Sequence, residues 1–204
     1  MPVLPSHKLA VYGSGKKFHK YILERFPKDI CRKFMIGWDE ENLRITIPIF
    51  NREDGLLGFI RRAVLNPKIS GEHNPEYEKV YGNQPKYLID SCIVKSHVLY
   101  PLNHFILPRD RTVILCEGQI DSIRMHQHGF TNTLSIINSK INQPQIDILK
   151  MMGVRNIINF LDPDEAGKTG GEKLQKLCRK DFTVYNVKWV DGVSDPDGLT
   201  KEQA

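Results

Sequence analysis

Three short apolar runs in this chain each stop at acidic residues, and that repetition marks where chemistry is to be sought. A mostly apolar run rises from Arg155 and ends at Asp162 and Asp164, two carboxylates spaced i, i+2. Thr112 to Cys116 ends in Glu117-Gly118, with Asp121 one step into the helical pattern that follows. Thr183 to Val187 leads towards Ser194-Asp195-Pro196-Asp197. Runs of this length, rich in Val, Ile and Phe, read as buried strands. In a parallel sheet all such ends point the same way, and open α/β sheets take their ligands there. Carboxylates gathered without basic partners repel, and a hard divalent cation is the usual remedy. Taken singly, each site reads equally well as a helix N-cap or a turn. Three in register favour a metal pocket.

The elements that must position these residues alternate from Arg111 onward. The pattern predicts strand 112–116, helix 119–128, strand 132–137, helix 143–152, strand 155–161, helix 165–180 and strand 183–189. Strict alternation implies a parallel sheet with right-handed crossovers. The amino-terminal half is organised differently. An amphipathic helix is expected over Lys16–Phe26 and a shorter one around Asp29–Lys33. Leu43–Phe50 and Leu56–Leu65 then read as a hairpin about the turn Asn51–Gly55. Residues 66–84 are rich in Pro, Gly and Asn and read as a long loop. The fold class is therefore α/β: an α+β subdomain over residues 1–108, followed by a parallel-sheet subdomain over 109–204.

On the returning strand Arg61 and Arg62 are adjacent, so they point to opposite faces. One is placed to meet phosphate or template, and the other reads as edge-strand solubility. Lys86-Tyr87 is a common solvated pair, and also a composition that grips backbone and stacks a base. The 204 residues carry a net charge of +5. A basic body around an acidic pocket suits a polyanion, although an excess of this size is weak alone. No apolar run approaches the roughly 20 residues of a membrane helix. The start lacks a secretory signal. Cys31, Cys92, Cys116 and Cys178 form no C-x-x-C pair, which argues against structural zinc and fits a reducing cytoplasm. His126 and His128 are two apart on a helix and should not share a metal. Neither Gly13-Ser-Gly-Lys-Lys17 nor Gly167-Lys168-Thr169 has the spacing of a P-loop.

Several stretches carry a family resemblance. Glu117-Gly118-Gln119-Ile120-Asp121 resembles the E-G-x-x-D signature of the TOPRIM fold, and Asp162-Pro-Asp164-Glu-Ala-Gly167-Lys168 resembles its D-x-D-x-A-G-[RK] signature. Ser194-Asp195-Pro196-Asp197 is similar to the third acidic cluster of DnaG-type primases. Phe34-Met-Ile-Gly37-Trp38, Ile47-Pro-Ile, Gly58-Phe-Ile-Arg-Arg62, Pro85-Lys86-Tyr87-Leu88 and Val98–Leu102 resemble, in order, that family's amino-terminal motifs. The resemblance implies a primase RNA-polymerase core of phage or bacterial origin. Such a core makes short RNA primers on single-stranded DNA from ribonucleoside triphosphates, by two-metal nucleotidyl transfer with Mg²⁺, for which Mn²⁺ substitutes.

On that resemblance Asp162, Asp164 and Asp195 hold the ions, with Asp197 in support. Glu117 is either a further ligand or the group that takes the hydroxyl proton, and Asp121 orients the ligands. Arg62, Lys86 and Tyr87 hold template or nucleotide, and Arg61, which departs from the family pattern, is a further candidate for that contact. Lys168 either meets phosphate or is a solvated surface lysine. The expected location is the cytoplasm, the host's if the chain is phage-encoded. A zinc-binding module and a replicative helicase are expected as partners supplied elsewhere. Two departures stand out: Asn138-Ser139 replaces a Gly-Thr turn, and Ile60-Arg61 replaces Gly-Gly. A TOPRIM nuclease and a non-catalytic single-strand-binding module are the competing classes. A topoisomerase would need a tyrosine-bearing domain for which there is no room.

Overall fold

The computed structural model describes residues 1–69, 71–162, 165–188, 196–200 and 202, the side chains of 165–168 and 196 excepted. Two compact units emerge: Met1–Phe50 with Gly55–Ile93, and Asn51–Asp54 with Val94–Ala204. It is a mixed α/β fold, with an antiparallel sheet in the first unit and a parallel one in the second. Residues 94–108 fall in the second unit.

In the first unit, helices α1 (Lys8–Val11), α2 (Lys20–Leu23) and α3 (Lys28–Lys33) precede strands β1 (Gly37–Asp39), β2 (Arg44–Phe50) and β3 (Leu56–Ala63). A ribbon of β4 (Lys68–Ile69) and β5 (Glu72–His73), helix α4 (Pro75–Tyr81) and strand β6 (Tyr87–Ile89) follow. The antiparallel sheet has the order β1-β2-β3-β6. Every residue of β2 is buried, yet it contains Pro48, which has no N–H for a ladder. Two facts permit it. Pairing with β1 stops at Thr46, and the partner Phe59 turns both its N–H and C=O towards Asp90. At Gly58 φ is +151°, and a Cβ would lie 3.0 Å from Ile93 and 3.2 Å from Cys92 Sγ. Glycine is needed there on both counts.

The helix expected over 16–26 covers only Lys20–Leu23. His19 starts it, with extended backbone and its Nδ1 accepting from the Tyr21 N–H at 3.2 Å. The imidazole also stacks on Trp38, ring centroids 4.3 Å apart. Only the neutral ring has an acceptor nitrogen. Burial, with Lys20 adding to it, lowers the His19 pKa. A histidine pKa lowered by folding gives stability that is full above its unfolded value and is lost as pH falls through that value, near 6.5. Wild-type protein should therefore lose urea resistance between about pH 7 and 5 more steeply than His19→Asn, whose side chain caps at any pH. Equal slopes for the two proteins would count against this.

The loop expected over 66–84 contains the ribbon and α4. Asn74 accepts from the Glu76 N–H, and Pro75 occupies the first helical turn, where its missing N–H costs nothing. Tyr77 and Tyr81, one turn apart, are the buried face. Arg44 is completely buried. Its guanidinium lies 4.9 Å from the Tyr81 ring centroid and donates to the Lys86 carbonyl (3.0 Å) and Gln84 Oε1 (3.2 Å). Together with the Ala63 N–H, which donates to the same carbonyl, it fastens the start of β6.

The second unit runs β7 (Thr112–Cys116), α5 (Gln119–Gln127), β8 (Thr133–Ser135), α6 (Gln143–Met151), β9 (Asn156–Asn159), α7 (Glu165–Cys178) and β10 (Thr183–Asn186). The alternation expected from the sequence is realised, with every strand pair parallel and the order β10-β9-β7-β8. Val113, Leu115, Leu134, Ile146, Leu149, Ile157, Leu174 and Cys178 form its main core. Gln145 is fully buried; its amide donates to the carbonyls of Val98 and Ile136, both at 2.8 Å, and its oxygen accepts from Asn142 N–H. It locks the lead-in segment to the turn after β8.

Candidate active site

β7 ends at Cys116, and Glu117 follows directly. Backbone pairing continues past the strand ends: Ile136 N–H donates to Cys116 O and Ile137 N–H to Glu117 O, both at 3.0 Å. Phe160 N–H donates to Leu115 O at 2.8 Å. β7 and β9 are neighbours, so Glu117 and Asp162 leave the same end of the sheet from adjacent strands.

The Cys116 thiol reports their field. Burial pushes its pKa well up, and the carboxylates of Asp121, Asp162 and Glu117 each push further. Carboxylates of this kind are the oxygen donors that a hard divalent cation takes. Among the described residues no group of three or more His, Cys, Asp or Glu side chains is arranged to hold a metal. Asp164 and Asp195 lie outside the described residues, as does the side chain of Lys168 on α7.

Asp121 Oδ2 accepts from the Gly118 N–H at 2.9 Å, closing the first turn of α5. A Cβ on Gly118 would lie 2.7 Å from that oxygen, so a side chain there would push the Asp121 carboxylate out of its present position. Asp197 is gripped by Arg124 of α5, with Nε at 3.1 Å and the second contact at 3.0 Å, both to Oδ1. That contact holds the short turn Pro196–Gly198 against α5, and the spacing of Asp197 does not betray it. His126 and His128 bond separate carbonyls, Thr133 and Leu199, and share nothing. Beyond β8, Ile137 has φ +56°, a left-handed conformation that strains a β-branched residue. The Asn138-Ser139 turn is thus preceded by strain beside the Glu117 carbonyl.

In the first unit, Arg61 and Arg62 do take opposite faces. Arg61 pairs with Asp90 at 2.9 Å and lies 3.9 Å from Asp39. Arg62 is buried; it donates to the Tyr87 hydroxyl at 3.2 Å and to the Ala63 carbonyl at 3.0 Å. Tyr87 is 36% exposed and Lys86 is half-buried. Tyr21 and Arg25 pack on the Arg62 side of the sheet. Their helical spacing marks them only as amphipathic, and nothing in the sequence tied them to Arg62.

Residues 111–188 match the Toprim domain family. The Campylobacter jejuni DNA primase is 27% identical over 158 residues, 76% of this chain and 24% of that protein. Among solved structures, the zinc-binding and RNA polymerase domains of Aquifex aeolicus primase superpose with a TM-score of 0.71 at 21% identity, covering 90% of this chain and 52% of that one. A DnaG primase catalytic domain bound to single-stranded DNA superposes with a TM-score of 0.64 at 17% identity, covering 90% of this chain and 67% of that one. The chain thus spans about a quarter of the length of this curated relative. Residues 111–188 are thus similar to a Toprim domain, within a mixed α/β protein. More particularly, the chain is similar in sequence to DNA primases and in fold to the catalytic cores of DnaG-type primases.

Proposed function

We propose that this core synthesises short RNA primers on single-stranded DNA, a DNA-directed RNA polymerase of the primase type. The observation that carries the reading is the delivery of Glu117 and Asp162 to one end of a parallel sheet from the adjacent strands β7 and β9. Glu117, Asp162, Asp164 and Asp195 would hold Mg²⁺, or Mn²⁺ in its place, with Asp197 in support. Bound there, the ions supply Lewis-acid activation of a 3′-hydroxyl and neutralise triphosphate charge.

The chain's own residues do the rest. Glu117 binds or takes the hydroxyl proton, and Asp121 fixes the helix start from which that end of the sheet is built. Tyr87 stacks a base and Lys86 meets the backbone. Arg61 meets phosphate by exchanging its Asp90 partner, Arg62 supports Tyr87, and Lys168 approaches phosphate from the start of α7. The single-stranded DNA bound by the related catalytic domain supports the template reading. A zinc-binding module and a replicative helicase acting with the core belong to the same proposal.

The test is incubation with single-stranded DNA, labelled ribonucleotides and Mg²⁺ or Mn²⁺, followed by gel separation. Short RNA products that vanish with EDTA are expected. Shortened DNA without RNA synthesis would replace this reading with a nuclease.

A further inference from the structure

Five side chains of the first unit alternate cation and ring. The Arg25 guanidinium lies 4.0 Å from the centroid of the Tyr21 ring, and Arg62 lies 4.6 Å from the same centroid. Arg62 also lies 5.8 Å from the Tyr87 centroid while bonding its hydroxyl at 3.2 Å. The Lys86 ammonium lies 5.8 Å from the Tyr87 ring centroid. Local rules explain the order. Arg62 and Tyr87 are directly opposed across β3 and β6, so they share a face. Tyr21 and Arg25 are four residues apart, one turn, and Arg25 also donates to the Tyr21 carbonyl at 3.4 Å.

Exposure divides the ladder. Arg62 is only 6% exposed, too deep to meet a nucleic acid itself. Tyr87 and Lys86 are the rungs that reach solvent. We propose that Tyr21 is a positioning residue for a single-strand stacking platform whose contacting groups are Tyr87 and Lys86. This rests on the primase reading for those two residues and adds Tyr21, Arg25 and a buried role for Arg62. The Tyr21 ring holds the Arg62 guanidinium in a desolvated place where cation–π attraction is strongest. Arg62 in turn anchors the Tyr87 hydroxyl by a charge-assisted bond. A ring fixed in this way loses less freedom when a base stacks on it.

The test is fluorescence anisotropy of a labelled oligothymidylate binding to the full chain across a salt series. Tyr21→Leu should weaken binding about tenfold and leave the dependence of log Kd on log salt unchanged, since no phosphate contact is lost. Lys86→Ala should instead lower that slope by about 0.7. Tyr21→Phe keeps the ring and should restore binding to within about twofold. Arg25→Gln, at a half-buried site, should weaken binding about threefold and tests the ladder even where Tyr21→Leu does not fold. Wild-type affinity in folded Tyr21→Leu or in Arg25→Gln, or a Tyr21→Phe as weak as Tyr21→Leu, would overturn the proposal alone. Failure of the unaltered protein to bind would overturn it together with the template reading.

Discussion

Asp162→Asn should lower primer synthesis by at least about 100-fold, the scale of losing one group that stabilises developing charge. The size of the effect comes from what the side chain does and the fold does not ask of it. Asp162 follows β9, in the direction set by the Phe160 N–H bond to Leu115. Its charge adds to those of Asp121 and Glu117 at the Cys116 thiol. Asparagine keeps the shape and removes one of several like charges. In EDTA the variant should therefore melt no lower than wild type, because mutual repulsion falls. With Mn²⁺ added, wild type should gain thermal stability by mass action, and the variant should gain much less. Lost activity with lost folding would instead make Asp162 a structural residue.

Gly170→Ala is the second large effect, and its sign is opposite to helix propensity. In an open helix the change would stabilise by about 1 kcal/mol. Here a Cβ at residue 170 would sit 2.2 Å from the Ser139 carbonyl oxygen and 3.2 Å from Leu161 Cδ1. The first neighbour is backbone, which cannot rotate away, so α7 or the Asn138-Ser139 turn must move. A net loss of about 2 kcal/mol is expected, within the usual range for overpacking. Urea unfolding measures it directly. The same displacement shifts the turn beside Glu117, so activity should fall by more than the change in folded fraction explains. An alanine variant as stable as wild type would mean that α7 and the turn are not in close contact.

How much of this was legible in the sequence differs between the two units, for a physical reason. In the second unit each strand is a short run of Val, Ile and Leu and each helix has its own period, so local pattern and fold coincide. β7, β8, β9 and β10 all fall inside the strands expected. The first unit is held by contacts distant in sequence. Arg44 reaches Gln84 and Lys86 about 40 residues away, and no period betrays that. Residues 66–84 read as a loop because Pro, Gly and Asn act as breakers, yet Asn74-Pro75 starts α4. Helix α2 starts later than the apolar period suggests because the His19 side chain caps it.

The motif residues were legible as chemistry and not as geometry. Gly37 leaves no room for a Cβ against Tyr12 O, while a Cβ at Gly58 or Gly118 would press on the side chain of Ile93 or Asp121, which turns three letters of a pattern into three close approaches. Arg62 was expected to touch template, and the structure places it beneath Tyr87. Asp197 was expected beside metal, and Arg124 holds it. Neither partner could be read from spacing, since Arg124 and Asp197 are 73 residues apart. Asp164, Asp195 and the Lys168 side chain, all drawn from the sequence, lie outside the described residues.

Mn²⁺ titration followed by electron paramagnetic resonance tests, without any need for turnover, the proposal that the strand-end carboxylates hold a divalent metal. The signal of free Mn²⁺ should be lost on adding wild-type protein and should persist with Glu117→Gln combined with Asp162→Asn. Equal binding by the double variant, in protein that melts like wild type, would contradict the assignment.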